Sequence, residues 1–185
     1  MKKLLILLPL LMFIIASCVE DDGQQTAESS QQPSHAAGME DVDHASIIEN
    51  AVFTDLDGNE VTLADFSGKV LVIDFWETWC GPCLQVFPSL NEIRGEYPDD
   101  FEVLAVTIGM TEGPEEARAF KENHDYDFYY LYDQNNVSDE LGIMSIPFKM
   151  YIDPEGNYIK HEIGSRGRQG DYESAKSVLL EYISD

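Results

Sequence analysis

Basic side chains are scarce. Eleven Lys and Arg stand against 35 Asp and Glu in 185 residues, a formal net charge of −24. A chain this acidic repels nucleic acid backbones and anionic lipid headgroups, which argues against binding either by charge. A partner met by long-range attraction would present a basic or neutral face. Cysteine is scarcer, with only Cys18, Cys80 and Cys83. Around Cys80 and Cys83 no further Cys or suitably spaced His completes a ligand set, which argues against zinc. Of the four histidines, His35 and His44 lack ligand spacing, and His124 and His161 read as surface or packing residues. Long apolar runs are missing too. The uncharged stretch Leu4 to Ala16 falls short of the roughly 20 residues a membrane span needs. No internal repeat is present.

What the N-terminus does have is Lys2 and Lys3, the apolar run, and then Ser17-Cys18. A short basic start, an apolar core and small residues at the cut point describe an export signal over residues 1–17. Ile15-Ala16-Ser17-Cys18 resembles the lipobox of bacterial lipoproteins, in which the peptide is cut before a cysteine that then carries lipid. The alternative is an ordinary signal peptide cut near Ala16 or Ser17, leaving Cys18 free. Lipidation would resolve the odd cysteine count and leave Cys80 and Cys83 as one pair in a compartment that permits disulfides. Glu20-Asp21-Asp22 resembles sorting signals that differ between bacterial phyla, so the choice of membrane stays open. Loss of Lys2 and Lys3 with the signal moves the formal charge from −24 to −26. Residues 18–47 are rich in Gln, Ser, Ala, Glu, Asp and His, and cannot bury enough surface to offset ordering entropy. They read as a tether, with one domain over 48–185.

Within that domain, Asp57-Gly58 between Val52-Phe53 and Val61 to Leu63 reads as a hairpin. Val70 to Phe75 is apolar on both faces except for Asp74, the pattern of a buried central strand. A helix is expected from Cys80 to Tyr97, bent by Pro88. A strand over Phe101 to Ile108, a helix over Pro114 to Asn123, an aromatic strand over Asp127 to Tyr132 and a helical piece over Val137 to Leu141 follow. Phe148 to Ile152 and Tyr158 to Ile163 flank a Gly/Asn turn, and a helix from Asp171 to Ile183 closes the chain. The alternation predicts an α/β fold with a mixed sheet covered on both faces.

The chemistry centres on Trp76-Glu77-Thr78-Trp79-Cys80-Gly81-Pro82-Cys83. A strand that delivers Cys80 to the first turn of a helix brings its sulfur to unpaired amides, which stabilise a thiolate. An inert stapling disulfide is the bland alternative, but so small a loop constrains the unfolded chain little. Asp74, a carboxylate in an apolar strand, should have a raised pKa, and is a candidate proton acceptor for Cys83. The alternative is a structural carboxylate held by hydrogen bonds.

The run Val70 to Cys83, with Pro147 before Met150-Tyr151-Ile152-Asp153, resembles the thioredoxin superfamily, specifically the membrane-tethered thiol-disulfide oxidoreductases of the TlpA/ResA type. The resemblance covers about 48–185. It implies a thioredoxin-like fold with an N-terminal β-hairpin extension and an inserted strand-helix segment. It also implies a redox-active Cys80–Cys83 disulfide with no other cofactor. Cys80 would attack, as the more exposed thiol, and Cys83 would resolve the mixed disulfide. Gly81 and Pro82 match the pair of reducing thioredoxins. Trp79 would lie over Cys80 and shield it from water, and Trp76 would pack in the core or the rim. Pro147 would be cis and face the disulfide, leaving the Ile146 backbone to pair with substrate. Substrates would be exported proteins, and electrons would come from a membrane thiol donor.

Two departures qualify the resemblance. Val86 occupies a position where ResA-like chains often carry a glutamate linked to apocytochrome chemistry, which weakens a role in cytochrome c maturation. Phe148 replaces the usual Thr after the proline, implying a more apolar rim. The rival readings are an oxidase or isomerase on the same fold and a non-catalytic binding protein. A peroxiredoxin-like peroxidase is disfavoured, because no Pro-x-x-x-Thr-x-x-Cys surrounds Cys80.

Overall fold

A computed structural model describes residues 42–183. The leader, Cys18 and most of the expected tether lie outside the described residues. Seven strands form one mixed sheet: β1 (Val52–Asp55), β2 (Glu60–Thr62), β3 (Val70–Trp76), β4 (Phe101–Thr107), β5 (Tyr129–Tyr132), β6 (Phe148–Ile152) and β7 (Tyr158–Ile163). Their spatial order is β2-β1-β5-β4-β3-β6-β7. The central strands β3, β4 and β5 run parallel, while β6 and β7 on one side and β1 and β2 on the other are antiparallel.

Alternation in β3 separates two cores. Val70, Val72 and Trp76 pack under α2 (Gly81–Glu96) and α5 (Gly167–Tyr182), with Phe120 of α3 (Pro114–Asn123) closing the cluster. Leu71, Ile73 and Phe75 face the other cluster, with Leu63 and Phe66 of a short 3-10 turn, and Val137 of α4 (Val137–Glu140). Every β3 residue is buried, as its apolar run predicts. By the same parity Asp74 points to the α2/α5 side. Trp76 is a core residue, its ring 4.7 Å from those of Phe87 and Phe120.

Some boundaries move. A helix α1 (His44–Glu49) forms where the tether was expected to run on to residue 47. Asp43 caps it by accepting the Ser46 N–H at 3.0 Å. Ile48 anchors it in the second cluster, and His44 lies 4.6 Å from the His161 ring. Glu49 accepts the Tyr158 N–H, the first of strand β7, at 2.9 Å. One buried side chain carries no periodic signal, so only tertiary docking reveals this helix. Helix α5 starts four residues before Asp171, because that carboxylate turns back to accept the Arg166 N–H and the Ser165 hydroxyl. Strands β4 and β5 are shorter than expected, and Pro88 sits inside α2.

Candidate active site

Strand β3 ends at Trp76, and four residues later Cys80 caps helix α2. Its Sγ accepts the Cys83 N–H at 3.2 Å, as the helix-start placement predicts. Cys80 and Cys83 form a disulfide, with Gly81 opening the helix and Pro82 in its first turn, where no intrahelical donor is needed. Cys80 is 3% exposed and Cys83 fully buried, so Cys80 is the more accessible, by a narrow margin. The Ile146–Pro147 peptide bond is cis.

Trp79, next to Cys80 in the chain, is 55% exposed, and its indole N–H donates to the Thr111 hydroxyl at 3.0 Å. One expectation fails in geometry: Phe148 was to make the rim more apolar. Its ring is buried in the second cluster and stacked on His161 at 4.9 Å, because β6 alternation turns it away from α2. The exposed apolar side chains in the loops between strand ends and helices are Trp79, Met110 and Met144. Val86, at the position of the missing glutamate, is buried in the first cluster.

Asp74 is fully buried, and neither carboxylate oxygen has a hydrogen-bond partner. Burial drives its pKa well above the ordinary carboxylate range. The positive charge of Lys149 opposes that shift and Asp171 reinforces it. Lys149 lies directly across from Asp74 in the antiparallel β3–β6 register and is itself buried. Its ammonium does not pair with Asp74. It donates to Asp171 Oδ1 at 2.6 Å and lies 3.9 Å from Glu162 Oε2. The Ser165 hydroxyl donates to Asp171 Oδ2 at 2.6 Å, and the Ser174 hydroxyl to Glu162 Oε1 at 2.6 Å. Beneath the disulfide helix, then, one buried cation lies among three buried carboxylates, of which Glu162 also pairs with Lys160 and Arg166. Sequence reasoning found Asp74 and missed Lys149, Glu162 and Asp171. The available signal was Lys149 between Phe148 and Met150, a charge inside an apolar strand.

A second acid was missed closer to the rim. Glu77, in the turn before Cys80, is buried, and its pKa is pushed up to about 7. Burial is the main cause, and a hydrogen bond to the Glu112 carboxylate adds to it. Its backbone oxygen accepts the Cys80 N–H at 3.1 Å. The visible signal was a glutamate between two tryptophans, Trp76 and Trp79.

The AhpC/TSA family profile matches residues 45–161. The thiol-disulfide oxidoreductase ResA of Bacillus thuringiensis is 30% identical over 136 residues, covering 72% of this chain and 73% of ResA. The thioredoxin-like protein YneN of Bacillus subtilis is 34% identical over 102 residues, 55% of this chain and 60% of YneN. Among solved structures, one from Chlorobium tepidum described as a thiol:disulfide interchange protein DsbE superposes with a TM-score of 0.63 at 27% identity. It covers 72% of this chain and 93% of that one. The exposed lipoprotein thioredoxin Etrx1 of Streptococcus pneumoniae gives a TM-score of 0.57 at 29% identity, over 71% and 98%. With its thioredoxin-like sheet and a disulfide at the cap of α2, the chain belongs to the AhpC/TSA family, among its thiol-disulfide oxidoreductases.

Proposed function

We propose that this protein is an exported, lipid-anchored reductase of disulfides in other exported proteins. The observation that carries the reading is the Cys80–Cys83 disulfide at the cap of α2, with Cys80 the outer sulfur and a buried acid behind it. The Gly81-Pro82 pair, shared with reducing thioredoxins, supports a low potential. The leader and Ile15-Ala16-Ser17-Cys18 support export and a lipid on Cys18, as does similarity to a pneumococcal exposed lipoprotein thioredoxin. No described helix is long and apolar enough to cross a membrane.

In the reduced protein the Cys80 thiolate attacks one sulfur of a substrate disulfide. A Cys80–substrate bond forms, and the other substrate sulfur leaves and takes up a proton. Cys83 then gives its proton to the Asp74 carboxylate and attacks Cys80 Sγ. This closes the Cys80–Cys83 bond and releases the second substrate thiol. A carboxylate raised by burial is closer to a thiol in basicity than an ordinary one, which suits it to that transfer. A membrane dithiol donor reduces the pair again and becomes a disulfide in turn. Ile146, preceding cis-Pro147, is the backbone offered to the substrate.

The test is the Cys80/Cys83 potential against glutathione or dithiothreitol buffers. A value near about −270 mV supports a reductase, and one near about −120 mV makes the protein an oxidase. In parallel, Cys83→Ala should trap substrates through Cys80. No trapped partner would leave a binding protein. Mass spectrometry of the membrane fraction should find diacylglyceryl on Cys18, and an unmodified Cys18 there would overturn the anchor.

A further inference from the structure

The loop between β4 and α3 is fastened to the turn before Cys80 by hydrogen bonds that no redox step uses. Glu77 Oε1 accepts the Met110 N–H at 2.9 Å. The Glu112 carboxylate accepts the Thr78 N–H at 2.7 Å and also the Thr78 hydroxyl. The Thr111 hydroxyl takes the Trp79 indole N–H. Gly109 suits the loop's turn: at φ +76° a side chain would be strained, and its Cβ position lies 2.8 Å from the Tyr132 hydroxyl. The remaining oxygen of Glu77, Oε2, meets no N–H or hydroxyl group. The carboxyl that acts on it is Glu112: the interaction between the two raises the Glu77 pKa and lowers that of Glu112. Two carboxylates in contact hold together only with a proton between them. Among the described residues no Lys or Arg forms an ion pair with either.

We propose that Glu77 and Glu112 are positioning residues, a proton-dependent clamp that fastens the 109–113 loop to the Cys80 turn while the pair holds one proton and frees it when that proton is lost. The surroundings are mostly acidic. Helix α3 contributes Glu115 and Glu116 in its first turn, and Glu116 accepts the Gly113 N–H at 2.8 Å. Strand β5 contributes Tyr132, and the cleft beside Thr78 is lined by Glu116 and His124. The Cys80–Cys83 disulfide does not titrate, and Asp74 lies on β3 among the groups of β6 and α5. Helix α3 also carries Arg118, which donates to the Leu56 carbonyl and Asp57, and Lys121, which lies over the Tyr130 ring, so both cations are engaged elsewhere. The Met110 and Gly109 N–H groups favour a charged Glu77, but burial and Glu112 outweigh them. Burial and the hydrogen bond to Glu112 keep the proton on Glu77 up to about pH 7. Burial acts against the Glu112 charge, but the two Thr78 bonds and the bond from Glu77 together hold that carboxyl below its ordinary range. Thr78 and Trp79 connect Glu77 to Cys80, so the clamp governs which side chains a substrate meets beside the reacting sulfur. The chief of these are Trp79 and Met110, which are 55% and 66% exposed.

The consequence for catalysis rests on Cys80 being the attacking sulfur. The clamp itself does not, and is tested in the disulfide form, where no thiol titrates. Amide hydrogen exchange of Thr78 and Met110 in the full chain, corrected to protection factors, should fall about tenfold or more between about pH 5.5 and 8.5. Glu77→Gln keeps a donor towards Glu112 at every pH and should hold both protection factors constant over that range. A constant wild-type protection factor would overturn the clamp. An equal fall in Glu77→Gln would do so too, since it would point to His124 or another group. Glu112→Gln is the second variant. It removes the acceptor charge that retains the proton, so the midpoint should drop by about one pH unit or more, and an unmoved midpoint would overturn the pairing.

Discussion

Two buried acids flank the disulfide helix, and they are built on opposite principles. Asp74 lies in the middle of β3 with no hydrogen bond, and the nearest cation, Lys149, is held by Asp171 at 2.6 Å. Glu77 lies just past the end of the same strand, has no cation, and meets another carboxyl. Burial raises both pKa values. The outcomes differ because the inner site is governed by fixed charge and the outer one by a mobile proton. An acid meant to take a proton needs an empty lone pair, which Asp74 has. An acid meant to hold two segments together needs its lone pairs filled, and Glu77 Oε1 is filled by Met110.

The hardest test of the contrast removes the inner cation. Lys149→Met leaves Asp171 buried without a cation, while Glu162 keeps Lys160 and Arg166, an expected loss of about 3–5 kcal/mol. Urea denaturation would measure it. A loss under about 1 kcal/mol would mean that Lys149 is not what holds the cluster. A milder change acts on chemistry. Asp74→Asn should slow resolution by Cys83 about 100-fold between about pH 6 and 8, the scale of a lost general base. Stopped-flow fluorescence with Trp79 as reporter would follow it, and unchanged kinetics would make Asp74 structural. The same variant should be as stable as wild type or more so, with the gain larger at neutral pH than at pH 4. A carboxyl with a raised folded pKa favours folding in its protonated form, and that advantage is lost as pH rises through the raised value.

The smallest effect concerns the outer pair. Glu77 rises from 4.5 to about 7 on folding, so its contribution is complete below about pH 4.5 and disappears as pH climbs through 7. Wild type should lose on the order of 2 kcal/mol relative to Glu77→Gln across that window. Melts of both proteins at matched pH values would show it, and parallel profiles would deny Glu77 its shifted titration.

The inner and outer sites were not equally legible in the sequence. Asp74 stood out because every neighbour in Val70 to Phe75 is apolar, and Cys80 because a strand, a turn and Pro82 frame a helix start within a dozen residues. Such signals are local. That Lys149 lies across from Asp74 depends on the register of strands whose facing residues are 75 positions apart, and hydrophobic alternation fixes faces without fixing partners. Glu77 and Glu112 meet only because β3 and β4 run parallel and end at the same edge of the sheet. Phe148 was misplaced for a related reason. The resemblance put it at the rim beside Pro147, but β6 alternation stacks it on His161 in the second cluster.

Helix α1 has a consequence for how copies of the chain behave towards one another. Strand β7 is the last in the sheet, so one row of its backbone groups has no strand beside it. Glu49 occupies the Tyr158 N–H at the start of that row, His44 stacks towards His161, and Lys160 and Glu162 put charge along the remainder. Open strand edges template pairing with other chains, and covers and charges of this kind blunt them. A domain cut at residue 48, where composition alone would cut it, forfeits the His44 contact, breaks into the short helix that carries Glu49, and leaves Ile48 at a fraying end. Its open edge would then favour sheet-to-sheet self-association, while a chain begun before Asp43 keeps its own cover.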